Sequence, residues 1–307
     1  MVVPIIGIDV SKATLDLFCA STNTSTQIPN DPKSIKAWLK TLDQSSHFVF
    51  EATGRYHRQL EKLLASGNRT YFKVNPWQAR RFAESTGKRA KTDKVDAKLL
   101  AKMAGAITLK LGQLPDQTID NLKQILLVRE GLIKEQTAEK NRSLDLELKA
   151  LERLSQKRLK RLSQDLEELE ALIKTTIESD AELLHRFTLL ISIKGMGTIS
   201  AATLIAHMPE LGDINGSKIA SLAGLAPIVR QSGTWSGKTR IGGGRAIVRH
   251  ALYMPAVSAS RFNSDLKEFY QRLRNAGKPH KVSITAVMRK LLIIANTLIA
   301  QNREFRP

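Results

Sequence analysis

The segment IIGIDVSKATLDLFCA, residues 5–20, decides the predicted fold of the N-terminal part of this 307-residue chain. Its apolar runs at 5–10 and 14–20 predict two strands joined by a tight turn at Ser11 and Lys12. Further along, short apolar runs at 48–50 and 70–74 predict two more strands. Helices are predicted between and after them, at residues 31–42, 55–65, 76–83 and, with Thr92 as N-cap, 92–106. This order of elements predicts an α/β fold.

The overall charge indicates a polyanionic partner. The chain has 48 Lys and Arg against 29 Asp and Glu, a formal net charge of +19, which favours nucleic acid or an anionic membrane surface. Its 42% hydrophobic content excludes a disordered basic tail. The apolar stretch at 291–300 is too short to span a bilayer, and the N-terminus lacks the basic region of a signal peptide. We therefore expect a soluble cytoplasmic protein that binds nucleic acid and no membrane.

The single cysteine, Cys19, excludes a disulfide framework and a cysteine-rich zinc site, and it indicates a reducing compartment.

The charge divides the chain into three predicted domains. Residues 1–112 carry +9, residues 113–182 carry −3 and residues 183–307 carry +13. The middle segment predicts two helices, at about 117–153 and 156–179, because a stripe recurs there at helical spacing. The stripe consists of Leu159, Leu162, Leu166, Leu169, Ile173 and Ile177. The two helices form either an antiparallel hairpin or an intermolecular coiled coil, and an ordinary helical linker is the alternative.

Four carboxylates lie at predicted strand ends and on one predicted helix. Asp9 lies inside the first apolar strand, and Glu51 directly follows the strand at 48–50. Asp93 and Asp96 are three residues apart, so a helix places them on one face. A carboxylate cluster in a basic chain indicates a cation, and oxygen ligands suit Mg²⁺ or Mn²⁺. The alternatives are a turn cap for Asp9, a helix first-turn acid for Asp93 and a surface acid for Asp96.

These motifs resemble a known family. GIDVSK, EATGRY, VNP and KTDKVDA are similar to the N-terminal motifs of the insertion-sequence "one-ten" family of DEDD transposases, which includes the Piv/MooV DNA invertases. The resemblance implies a RuvC-like, RNase H-type fold at 1–112, a helical coiled-coil segment at 113–182 and a mainly helical transposase domain at 183–307. It also implies that Asp9, Glu51, Asp93 and Asp96 form a metal-binding tetrad.

The C-terminal segment contains two glycine-bearing stretches. IKGMGTISAATLIA, from residue 193, is similar to a helix-hairpin-helix, whose glycines let backbone N–H groups approach a DNA phosphate; a plain glycine turn is the alternative. The stretch from 224 to 244 holds six glycines and predicts a mobile or tightly turning loop among cations, with a disordered surface loop as the alternative. The candidate nucleic-acid contacts are Lys91, Gly195, Gly197, Arg230, Lys238, Arg240, Arg245 and Arg249.

Three hydroxyls in the second stretch, those of Ser232, Thr234 and Ser236, are candidate nucleophiles for a phosphodiester. The residues alone do not choose among them. The resemblance maps the family's catalytic serine, in a GLxP…SG pattern, to Ser232, although His250 stands where arginine is common in the family. Trp77 and Trp235 are candidates for base stacking, but we expect Trp77 to pack in the core or against a loop.

The resemblance implies an enzyme that cleaves and exchanges DNA strands through metal-bound carboxylates and a serine-linked intermediate. It further implies dimers or tetramers, an active site with parts from different protomers, and a bridge RNA that selects donor and target DNA. Two alternatives stay open. One is a RuvC-like metal-dependent nuclease, such as a junction resolvase, that uses only activated water. The other is a nucleic-acid-binding scaffold without chemistry.

Overall fold

The computed structural model describes residues 3–52, 54–86, 93–114, 116–229, 231–232, 235–237 and 239–306; at 93–95, 231–232 and 235–236 it describes only the backbone. The chain forms two compact units, residues 1–115 and residues 116–307. Each unit is described by itself below.

The N-terminal unit is built on a five-stranded mixed sheet of order β3-β2-β1-β4-β5. Strands β1 and β2 and strands β2 and β3 are antiparallel, whereas β4 is parallel to both β1 and β5. The sheet confirms the predicted α/β fold, but β3 was not predicted because its side chains are polar and mostly exposed at the sheet edge. The strands are β1 Ile5–Val10, β2 Thr14–Cys19, β3 Thr24–Pro29, β4 His47–Glu51 and β5 Thr70–Val74.

Helices cover both faces of this sheet. Helices α1 (Pro32–Lys40) and α2 (Arg58–Ser66) pack on the face that bears Ile8 and Phe50. Helices α3 (Pro76–Ser85) and α4 (Asp93–Ala106) pack on the opposite face, which bears Val49 and Val74. Local capping explains two of the starts, since Asp31 accepts hydrogen bonds from the backbone at the start of α1 and Asn75 does so for α3.

The C-terminal unit begins with an antiparallel helical hairpin. Helix α5 (Gln117–Ser143) and helix α6 (Lys149–Glu178) pair along their length, with Arg129 bonded to Glu170 at 2.6 Å and Ser155 bonded to Glu139 at 2.8 Å. The predicted break near residue 155 is wrong, because the turn lies at 144–148. That turn contains neither glycine nor proline, and Ser155 instead faces α5 as part of the hairpin.

Among the described residues, this unit contains six further helices and a β-ribbon. Ile173 and Ile177 of α6 share one core with these helices. The ribbon lies between α9 and α10 and contains β6 Pro227–Ile228, β7 Gln231–Ser232, β8 Trp235–Ser236 and β9 Arg240–Ile241. The helices are α7 Ala181–Ile191, α8 Thr198–His207, α9 Gly216–Leu222, α10 Ala246–Phe262, α11 Ser264–Asn275 and α12 His280–Ala300.

Helix α12 is long and apolar enough to cross a membrane, and it is the single such helix within the described ranges. It begins at His280, so the prediction that the late apolar stretch is too short was wrong about its length. Half of its most apolar window is buried inside the unit, and Asn296 bonds the backbone of Gly212 and Ile214. These contacts are those of a core helix.

Candidate active site

Strand register places Asp9 and Glu51 side by side. In the parallel pair of β1 and β4, Gly7 is aligned with Val49 and Ile8 with Phe50, so Asp9 and Glu51 follow at matching positions. Because side chains alternate along a strand, both carboxylates share the face of Val49. Both residues are half-buried at the carboxyl edge of the sheet, where open α/β sheets bind their ligands.

Helix α4 brings Asp93 and Asp96 to the same edge. A Cβ on Gly7 would lie 2.0 Å from the carbonyl oxygen of Ala97 and 2.7 Å from the amide nitrogen of Ala101, so the glycine lets α4 lie directly on β1. The last turn of α4 lines a cavity of about 500 Å³ with Ile5 and His47, which begin β1 and β4. Helix α4 therefore runs antiparallel to β1 and β4, and its first turn lies at the carboxyl ends of these strands.

The donor chemistry fits a divalent cation. Asp9, Glu51 and Asp96 come from three elements that meet at one edge and one face of the sheet, and carboxylate oxygens are the ligands that Mg²⁺ prefers. Among the side chains that the structure describes, no three His, Cys, Asp or Glu groups form a cluster that could hold a metal ion. The described carboxylates Asp9, Glu51 and Asp96 therefore do not lie close enough together to count as such a cluster, and the side chain of Asp93 is outside the described residues.

A further carboxylate, that of Asp16, was not predicted from the sequence. This residue is aligned with Asp9 across the antiparallel pair of β1 and β2, so it points to the same face. Asp16 is 5% exposed, and the side-chain amide of Gln27 donates to both of its carboxylate oxygens, at 3.0 and 3.1 Å. The alternation of TLDLF puts Asp16 on the face opposite Leu15 and Leu17, and only strand pairing shows that this face also bears Asp9.

Ser232 lies in the β-ribbon. Strand β7 pairs with β8, with Ser232 aligned with Trp235, and β6 pairs with β9. In its described part, the predicted glycine-rich loop thus forms an antiparallel ribbon. Its flanking side chains Ile228, Val229 and Ile241 are exposed. Arg240 is also exposed, whereas the predicted contacts Lys91, Arg230 and Lys238 lie outside the described residues, as does Thr234.

Two glycine turns close the base of the ribbon. Gly224 and Gly244 both have positive φ, at 69° and 57°, and a Cβ on Gly244 would lie 2.3 Å from the amide nitrogen of Gly224. Arg249 donates to the carbonyl oxygens of Ala223 and Gly243, which joins the two turns. Arg249 therefore has a structural role at the base of the ribbon, and its phosphate contact stays a prediction.

Arg245 is also bound within the protein. Its guanidinium makes two bonds to the carboxylate of Glu210, at 2.6 and 2.7 Å, and one to the carbonyl oxygen of His207 at 2.9 Å. Burial lowers the pKa of His207 from its usual 6.5 to about 4, and the positive charges of Lys123 and Arg245 act in the same direction. His207 is therefore neutral at physiological pH, and Glu210 is a partner that sequence reasoning did not identify.

The two glycines in the turn between α7 and α8 have different surroundings. Gly195 has a φ of 105°, and a Cβ there would lie 3.0 Å from the amide nitrogen of Ala259, so its close approach is to α10. Gly197 precedes α8 and has open space where a Cβ would lie. Of the two, Gly197 is the one with room for a phosphate at the start of a helix.

The expectation that Trp77 packs in the core or against a loop is wrong. Trp77 lies in the first turn of α3 and is 65% exposed.

Comparisons with known proteins match both units. A family model for DEDD transposases of the IS110 type matches residues 6–149, and a model described as "Transposase IS116/IS110/IS902 family" matches residues 187–271. The chain is similar to the pilin gene-inverting protein of Moraxella bovis, with 33% identity over 98% of this chain and 97% of that protein. The protein of the same name from Moraxella lacunata is 32% identical over the same shares.

A shorter match is the "uncharacterized 42 kDa protein" of insertion element IS900 from Mycobacterium paratuberculosis. It is 28% identical over 42% of this chain and 35% of that protein.

Proposed function

Because the chain belongs to the IS110 family of transposases, we propose that it rearranges DNA with two sets of residues, carboxylates of the N-terminal unit and Ser232 of the ribbon. The observation that carries the proposal is the alignment of Asp9 with Glu51 on the sheet edge where α4 begins. The pilin gene-inverting relatives, which match over nearly the whole chain, support site-specific inversion or transposition as the outcome.

We call the carboxyl edge of the sheet, with Asp9, Glu51, Asp93 and Asp96, the carboxylate edge. We propose that it works as a RuvC-like metal site. Asp9, Glu51, Asp93 and Asp96 would hold Mg²⁺ or Mn²⁺, which would stabilise negative charge on a phosphate and favour loss of a hydroxyl proton. Asp9 and Glu51 are fixed by strand register, and Asp96 by the packing of α4 on Gly7.

Ser232 is proposed as the nucleophile. Its oxygen would form a bond to the phosphorus while a bond from phosphorus to a deoxyribose oxygen breaks; the serine proton goes to a base, and the released oxygen gains a proton. The phosphoserine ester keeps the energy of the broken bond. A deoxyribose hydroxyl of another strand then attacks the ester, which restores the serine and joins the strands.

The test compares Ser232→Ala with Ser236→Ala, a matched change in the same ribbon. We expect Ser232→Ala to abolish cleavage and the protein–DNA adduct seen on a denaturing gel, and Ser236→Ala to retain both. Retained cleavage without an adduct in Ser232→Ala would instead support a metal-dependent nuclease or junction resolvase. Activity unchanged in an Asp9→Ala, Asp96→Ala double variant would support a non-catalytic nucleic-acid-binding protein.

The wider assembly is part of the proposal. We propose that the enzyme acts in the cytoplasm as a dimer or tetramer, that Gly197, Arg240, Lys91, Arg230 and Lys238 contact nucleic acid, and that a bridge RNA selects donor and target DNA. Sequencing of RNA that co-purifies with the chain tests the guide: a structured noncoding RNA from beside its own gene supports it, and only random cellular RNA contradicts it.

Mixing two inactive variants tests whether each active site is shared between protomers. In a mixture of Asp9→Ala and Ser232→Ala chains, a shared site can combine intact carboxylates from one protomer with an intact serine from the other. Partial recovery of strand exchange is then expected. A site built within one protomer would leave the mixture inactive, because every site would carry one defect.

A further inference from the structure

Trp77 lies at the same edge and on the same face as the proposed catalytic carboxylates. Glu51 and Val74 are aligned at the ends of the parallel strands β4 and β5. Asn75 and Pro76 follow, and the side chain of Asn75 accepts a hydrogen bond from the backbone N–H of Trp77 at 2.8 Å. Helix α3 then packs on the face that α4 covers, so Trp77 starts at the carboxyl edge beside the first turn of α4.

The indole of Trp77 is exposed to solvent and has an arginine over its ring. Trp77 is 65% exposed although the guanidinium of Arg81 lies over its ring, 5.3 Å from the centroid. Arg81 is itself held by Glu84 at 2.9 Å, and the side chain of Arg80 is 82% exposed nearby on the same helix. Single exposed apolar side chains are common on protein surfaces, so the inference depends on the position of Trp77 at this edge and on its pairing with Arg81.

A second arginine–aromatic pair follows the neighbouring strand. Tyr56 comes shortly after β4, is 37% exposed, and has Arg55 over its ring at 5.9 Å. Flat rings beside arginines suit the faces of nucleotide bases, since stacking is tolerant of sequence and arginine binds the phosphates between the bases. The positive ends of α3 and α4, which both begin at this edge, add to the attraction for phosphate.

We propose that Trp77 is a stacking platform for an unpaired base of the DNA strand held at the carboxylate edge. The inference rests on the proposed function, which places DNA at this edge. The base has to be unpaired because, in a duplex, both faces of each base are covered by the base pairs stacked above and below it. The occupant is DNA rather than RNA because Trp77 shares its edge with the carboxylates that act on DNA.

The test measures binding in EDTA, so that it does not depend on cleavage. The probes are oligothymidylate, oligouridylate of equal length and a DNA duplex. The variants are Trp77→Ala, Trp77→Phe and, as a control of equal exposure on α5, Leu127→Ala. We expect Trp77→Ala to weaken oligothymidylate binding about tenfold, as the loss of one stacked base does, and the other two to stay within about twofold of the unsubstituted chain.

Tryptophan fluorescence gives the second measurement. In a chain with Trp38→Phe and Trp235→Phe, Trp77 is the sole tryptophan, and oligothymidylate should quench its emission while the duplex does not. Equal affinity of Trp77→Ala, quenching by duplex alone, or a larger effect with oligouridylate would each overturn the proposal. If the stacking effects appear but carboxylate variants still cleave, the proposed catalytic function fails while Trp77 keeps its role.

Discussion

The carboxylate edge and the serine ribbon hold their key residues by different means. At the edge, Asp9, Glu51 and Asp96 belong to elements that share a buried core, and register and close packing fix their positions. The ribbon carries Ser232 on two-residue strands with exposed flanks, and it is tied to the unit at its base by glycine turns and Arg249. Residues on buried elements are thus held by the core, whereas a residue on an exposed ribbon depends on the contacts at the ribbon's base.

The largest expected effect tests the carboxylate edge. Asp9→Asn keeps the shape of the side chain but removes the charge that a metal ion requires. We expect the cleavage rate to fall at least ~100-fold, a loss of ~2.7 kcal/mol of transition-state stabilisation. Cleavage of a labelled DNA substrate measures it, with DNA binding in EDTA as the control. A rate within about threefold of the unsubstituted chain would remove the edge from the chemistry.

The next prediction concerns the close packing that positions the edge. In Gly7→Ala the new Cβ would meet the backbone of Ala97 at 2.0 Å, so α4 has to move. We expect the free energy of unfolding to fall by about 3 kcal/mol, the cost of overpacking a core that cannot relax. Gly105→Ala on the same helix is the control, since open space surrounds that position. It should leave stability equal or slightly higher. Denaturant unfolding that gives equal values for both variants would contradict the packing argument.

A smaller effect is expected at the base of the ribbon. Gly244→Ala combines a positive φ with a Cβ 2.3 Å from the amide nitrogen of Gly224, whereas Gly243 has a positive φ and open space. We expect Gly244→Ala to lower the free energy of unfolding by about 2 kcal/mol and Gly243→Ala by about 1 kcal/mol. If the base positions Ser232, then Gly244→Ala also reduces adduct formation more than Gly243→Ala does.

The contrast between buried and exposed elements explains which strands could be predicted from the sequence. Strands β1, β2, β4 and β5 were predicted because buried strands are apolar, whereas β3 and the strands β6 and β9 of the ribbon are exposed and lack that pattern. Asp9 and Glu51 stood out because each ends or interrupts an apolar run. Asp16 did not, because its position beside Asp9 follows only from strand pairing.

Contacts between distant residues were beyond reach of the sequence. An arginine beside a glycine-rich stretch, such as Arg245, is typical of a phosphate contact. Its partner Glu210 is 35 residues away in the sequence, and only the fold brings the two side chains together. Trp77 was expected to pack in the core or against a loop, yet the inward face of α3 is formed by Ala79 and Phe82. The turn of the helical hairpin was misplaced because no glycine or proline marks it.

The smallest expected effect is a pH dependence at the base of the ribbon. The pKa of His207 is lowered to about 4 in the folded chain, whereas the unfolded chain has a value near 6.5. Between these values only the unfolded chain takes up the proton, so stability falls as the pH drops from about 6.5 towards 4 and His207 contributes no further change below that. The partly exposed position of His207 reduces the effect, which we expect to be on the order of 1 kcal/mol between pH 7 and pH 5.

Denaturant unfolding of the unsubstituted chain and His207→Gln at both pH values isolates this contribution, because other titrating groups are common to the two proteins. We expect the unsubstituted chain to lose more stability than the variant. Equal losses would show that burial and the cations Lys123 and Arg245 do not lower the pKa of His207 in the folded chain.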